Sequence, residues 1–117
     1  MSTSTVTIYH NPRCRKSREG LQFLENSGQL FDIIKYLDDV PSASELKKII
    51  AKLDIKPIDL IRKNEALWKA EFKGKTLSDS EIIFAMVKNP KLIERPIIIN
   101  GNKAVIGRPT ENINDIL

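Results

Sequence analysis

Apolar and polar side chains alternate over Val6-Thr7-Ile8-Tyr9, the period of a short strand, and His10-Asn11-Pro12 breaks the alternation. The period then changes. From about Arg15 to Asn26, Leu21, Phe23 and Leu24 stand among charged helix formers, and Ser27-Gly28 supplies a C-terminal stop, which predicts a helix. Phe31 to Tyr36 reads as a second strand. Strand, helix and strand joined by short connections make a βαβ unit, which requires parallel pairing.

The middle of the chain is patterned for helices. Ser42-Ala43-Ser44-Glu45 has the form of a capping box, and Leu46, Ile49, Ile50 and Leu53 follow on one helical face. Pro57 opens a short helical turn through Ile58, Leu60 and Ile61, and a further helical stretch is expected around Ala66 to Phe72. A second capping box, Ser78-Asp79-Ser80-Glu81, starts a helix with Ile82, Ile83, Met86 and Val87 on its apolar face, ending before Pro90. Ile97-Ile98-Ile99, Asn100-Gly101 and Ala104-Val105-Ile106 then predict a hairpin, because Asn-Gly tolerates the positive φ of a tight turn. Thr110-Glu111 is placed to cap a last helix carrying Ile113, Ile116 and Leu117. The expected order is βαβ, helices, ββα.

A length of 117 residues suits a single domain, and 41% hydrophobic with 29% charged residues is enough for an ordinary core without disulfide staples. The net charge of +4 is too small to name nucleic acid as a partner. No glycine-rich phosphate loop is present either. The opening Met1-Ser2-Thr3-Ser4-Thr5 has no basic or apolar leader, and the apolar run Ile82 to Val87 is far too short to span a bilayer. A soluble, cytoplasmic monomer is expected. With one cysteine, Cys14, and one histidine, His10, neither an internal disulfide nor a bound metal is expected.

Cys14 is the residue with chemistry. It falls between a strand and the first turn of a helix, where unpaired N–H groups favour an anion, so a thiolate is stabilised there. Arg13, Arg15, Lys16 and Arg18 crowd around it with positive charge. Most lone cysteines are small buried hydrophobes on apolar stripes, whereas this one stands among Asn, Pro and cations. Ser17 occupies the second position of a Cys-x-x-Ser arrangement and is placed to donate a hydrogen bond to the thiolate, and His10 is given a supporting role. A phosphatase-type loop needs an arginine where this chain has Gly20, which rules that chemistry out.

Four blocks in order, His10-Asn11-Pro12-Arg13-Cys14-Arg15-Lys16-Ser17-Arg18, Leu60-Ile61-Arg62-Lys63-Asn64, Glu94-Arg95-Pro96-Ile97 and Gly107-Arg108-Pro109, carry a resemblance over nearly the whole chain. The sequence resembles the glutaredoxin-coupled arsenate reductase family, in its small bacterial branch. The resemblance implies an α/β, thioredoxin-like fold, one domain over 1–117 with a helical insertion at about 42–92. It further implies that Cys14 attacks arsenate, that Arg62, Arg95 and Arg108 converge to hold the oxyanion, and that the Arg95-Pro96 bond is cis. Glutathione would join the adduct as co-substrate, and glutaredoxin would supply the electrons that release arsenite.

The better-known arsenate reductases carry small, neutral residues beside the cysteine, so Arg13, Arg15 and Lys16 here are expected to bear on substrate preference or partner contact. Two other functions fit the same fold. A regulator of the Spx type binds RNA polymerase and commonly uses a Cys-x-x-Cys switch, whose second position is Ser17 here. A glutathione-dependent thiol exchanger needs Cys14 but has no need of three arginines.

Overall fold

The structure, a computed structural model, describes residues 6–117, and the opening segment read for a leader lies outside them. Two compact units divide the chain. One comprises the residues up to Asp39 together with Arg95–Leu117, and the other is Val40–Glu94.

The first unit holds the sheet. Strand β1 (Val6–Tyr9) leads to helix α1 (Arg15–Ser27) and strand β2 (Phe31–Ile34), and the hairpin β3 (Ile97–Asn100) and β4 (Lys103–Ile106) completes the order β2-β1-β3-β4. β1 runs parallel to β2 and antiparallel to β3, with Ile8 opposite both Ile33 and Ile98. This is the thioredoxin-like arrangement. Alternation places Val6, Ile8 and Ile98 on one face, where they pack with Leu24 of α1 and with Ile113 and Ile116 near the C-terminus. Ile33 shares that face but belongs to an edge strand and stays 48% exposed. Gly28, at φ 76, ends α1 in the left-handed conformation that its position after Ser27 predicts.

Three expectations for this unit are corrected. β2 stops at Ile34, because Lys35 begins a turn whose carbonyl accepts the N–H groups of Asp38 and Asp39. The hairpin loop is Gly101-Asn102, one residue later than Asn100-Gly101. Asn100 stays in the ladder opposite Lys103, and its side chain donates to the Ile116 carbonyl. Gly101, at φ 61, supplies the positive φ as first residue of the loop. The last helix is a tight 3-10 segment, Thr110–Ile116, with Pro109 at its cap position and no side-chain cap from Thr110.

The second unit is helical. It contains α2 (Ala43–Leu53), a 3-10 turn at Pro57–Leu60, α3 (Ala66–Glu71), α4 (Asp79–Lys88) and a 3-10 turn at Pro90–Leu92. Leu46, Leu60, Met86 and Leu92 are fully buried. Ser78 and Glu81 form the full reciprocal capping box. At the start of α2, Ser42 accepts the Glu45 N–H as expected, but its hydroxyl donates to the Glu45 carboxylate, so the box is not reciprocal through the backbone.

Candidate active site

Cys14 occupies the N-cap of α1 in extended conformation, with φ −97 and ψ 123. Its carbonyl accepts the Arg18 N–H at 3.0 Å, and its own N–H donates to the Asn11 carbonyl at 3.0 Å. The sulfur therefore sits where the first-turn N–H groups of the helix have no intrahelical acceptor. Side chains hold the preceding turn. Asn11 Oδ1 accepts the Arg13 N–H at 3.0 Å, Arg18 Nη1 donates to the Pro12 carbonyl at 3.0 Å, and the Asn11 N–H donates to Ser17 Oγ at 2.9 Å.

Burial, the largest influence on the Cys14 thiol, pushes its pKa up, but the Ser17 N–H, the charge and hydrogen bond of Arg95 and the Lys16 N–H outweigh it. The net direction is below the ordinary value of 9.0. This revises the expected source of the effect. Arg15 and Lys16 turn outward to pair with Glu19 at 3.4 and 3.6 Å, and the Arg15 side chain is 85% exposed. Water screens such charges. The thiolate is stabilised instead by backbone N–H groups and by an arginine 81 positions away in sequence.

Ser17 is also reassigned. Its Oγ lies 2.7 Å from His10 Nδ1 and accepts the Asn11 N–H, and it is the Ser17 backbone N–H that acts on the Cys14 sulfur. Burial, ahead of the opposing Ser17 bond and the repulsion of Lys35 and Arg18, lowers the His10 pKa from 6.5. A neutral ring with Nδ1 as acceptor satisfies both partners. His10 is almost fully buried, and with Ser17 it braces the cysteine turn.

The structure brings Arg95 and Arg108 together beside the sulfur. Arg108 Nη2 lies 3.9 Å from Cys14 Sγ, a long contact, and Arg108 Nε donates to the Arg95 carbonyl at 2.8 Å. Nε and Nη1 of Arg95 are buried with no hydrogen-bond partner among the described residues. Burying unpaired donors costs about 1–3 kcal/mol each, and these two leave the Arg95 guanidinium with donor capacity beside the thiol. Both arginines precede cis prolines, Pro96 and Pro109.

Arg62 belongs to the helical unit. The Ile61–Ile93 bridge, the Arg62 N–H to Leu92 carbonyl bond (2.7 Å) and the Glu94 N–H to Leu60 carbonyl bond (2.8 Å) fix its backbone. Its guanidinium pairs with Glu65 at 3.1 Å and Glu94 at 3.9 Å.

Two residues of structural consequence were not singled out from sequence as parts of the site. A Cβ on Gly20 would stand 2.8 Å from Pro96 Cγ, and one on Gly107 would stand 3.0 Å from the same atom. These glycines form the cradle in which Pro96 rests. A glycine in the middle of α1 was the available signal, since helix interiors disfavour it by about 1 kcal/mol.

Residues 9–116 match the ArsC family. An arsenate reductase of Haemophilus influenzae is 44% identical over 115 residues, covering 97% of this chain and 99% of that protein. An uncharacterised protein of Escherichia coli K12, YfgD, is 41% identical over 117 residues, covering 98% of each. Among solved structures, an arsenate reductase from Vibrio cholerae superposes with a TM-score of 0.92 at 45% identity, covering 96% of this chain and 97% of that one.

Proposed function

The chain belongs to the ArsC family, and on that premise we propose that it reduces arsenate to arsenite through a covalent adduct on Cys14, with glutathione and glutaredoxin as reductants. The observation that carries this reading is the pairing of a thiol whose pKa is lowered with a guanidinium whose buried Nε and Nη1 have no acceptor among the described residues. A guanidinium holds a tetrahedral oxyanion by charge-assisted hydrogen bonds and favours the thiolate before substrate arrives. In this mechanism Arg95 and Arg108 bind the arsenate oxygens while the thiolate displaces one of them from arsenic. Arg62 is included on its sequence block alone.

Reducing As(V) to As(III) takes two electrons, which two thiols provide by forming a disulfide. Cys14 is the only cysteine and remains bound to arsenic, so the disulfide forms between glutathione and a glutaredoxin thiol. Water then cleaves the remaining S–As(III) bond, its hydroxyl leaving on arsenite and its proton going to the Cys14 sulfur. The protein acts as a cytoplasmic monomer without a resident metal, and residues 1–117 work as one domain carrying the helical lobe as an insertion. Arsenate-dependent NADPH consumption with glutathione, glutaredoxin and glutathione reductase is the test. Activity requiring every component is expected; activity independent of glutathione or of Cys14 would overturn the proposal.

A further inference from the structure

A cavity of about 350 Å³ opens beside the cysteine turn in the sheet unit, between residues 10–13 and residues 35–38. It lies outside the carboxyl ends of the parallel strands β1 and β2, the position where parallel sheets commonly bind ligands. The volume falls in the ~300–1,000 Å³ range of small-ligand sites. Hydrogen bonds fix its walls. The His10 N–H donates to the Ile34 carbonyl at 2.8 Å, and the Lys35 carbonyl accepts the Asp38 and Asp39 N–H groups at 3.0 and 2.8 Å.

Its charges are arranged for a ligand of mixed sign. The exposed side chains of Arg13, Lys35 and Asp38 line the cavity, and among the described residues none of the three forms an ion pair. Two cations and one carboxylate complement a molecule with two carboxylates and one ammonium group. Arg13 of its lining immediately precedes Cys14 in the chain, and with a single cysteine the reductase reading requires an external thiol.

We propose that this groove binds the thiol co-substrate, a γ-glutamyl tripeptide of the glutathione type, with Arg13 and Lys35 on its carboxylates and Asp38 on its ammonium. The inference rests on the reductase reading above. Held there, the tripeptide sulfur forms an S–As bond on the Cys14 adduct as an As–O bond breaks, the oxygen leaving as water with the thiol proton and no change in oxidation state.

The test is a titration of the full-length, ¹⁵N-labelled protein with S-methylglutathione, which binds without reacting. Amide shifts at residues 10, 11, 13 and 35–38 are expected. Arg13→Gln and Lys35→Gln should each weaken binding ~5- to 10-fold, as should replacing the ligand by its diethyl ester, which lacks the carboxylate charges. Equal affinity of both variants and wild type, or shifts confined to other residues, would overturn the groove assignment. Sulfate protection of Cys14 against alkylation, measured on the same samples, separates the two readings. Protection without groove binding defeats this inference alone, and groove binding without protection defeats the oxyanion chemistry.

Discussion

Arg108 Nε donates to the backbone carbonyl of Arg95 at 2.8 Å, so one arginine of the proposed oxyanion site is tied to the backbone of the other. Arg108 Nη2 then faces the Cys14 sulfur, and the Arg95 guanidinium is left with buried, unshared donors. Sequence separation hides this coupling; it depends on the turns that enter and leave the β3–β4 hairpin.

Removing either guanidinium should cost about 1.5–3 kcal/mol of oxyanion interaction, a loss of ~10-fold or more in sulfate or arsenate affinity. Arg→Lys should restore only part of it, since lysine has no bidentate fork. Protection of Cys14 from alkylation by sulfate measures this in Arg95→Ala, Arg108→Ala and Arg62→Ala. Undiminished protection in all three variants would sink the oxyanion site.

Cys14 should alkylate with a midpoint below 9.0, and the midpoint should rise in Arg95→Ala because that charge is one of its causes. The same shift contributes to stability. The native state loses its proton before the unfolded chain does, so stability rises with pH from the native pKa up to 9.0 and is lost again as pH falls through the native pKa. Cys14→Ser should abolish turnover with unchanged circular dichroism, a hydroxyl being a far weaker nucleophile at neutral pH. Near-normal activity in that variant would remove Cys14 from the mechanism.

His10 works against stability in acid. Its native pKa lies below 6.5, so the unfolded chain protonates first, and unfolding free energy should fall as pH drops below 6.5 until the native ring also titrates. His10→Gln should flatten that slope in urea melts between pH 7 and pH 4.5, buffer values chosen to bracket the ordinary histidine pKa of ~6.5. An unaltered slope would show that another group governs the acid limb.

Gly20→Ala should destabilise the protein despite the helix propensity it adds. Alanine contributes about 1 kcal/mol in a helix interior, whereas overpacking against a closed proline ring costs about 1–3 kcal/mol. With a Cβ 2.8 Å from Pro96 Cγ, the overpacking should prevail. A urea midpoint raised above wild type would reverse that judgement.

Local pattern was sufficient for β1, α1, the 78–81 capping box and the existence of the hairpin, because alternation, helical spacing and capping act within a few residues. It was also sufficient to place Cys14 at the start of α1, since the N-terminus of a helix follows from chain order. Tertiary structure decided what neighbouring residues could not. The turn moved to Gly101-Asn102 because the Asn100 side chain is held by Ile116. The Ser17 hydroxyl lies against His10 because the end of β1 delivers that ring to it. The cations beside Cys14 in sequence lie in water, where their fields are screened, while Arg95 reaches the sulfur with its donors buried. Electrostatic strength depends on distance and desolvation, and both are set by how the hairpin folds back onto α1.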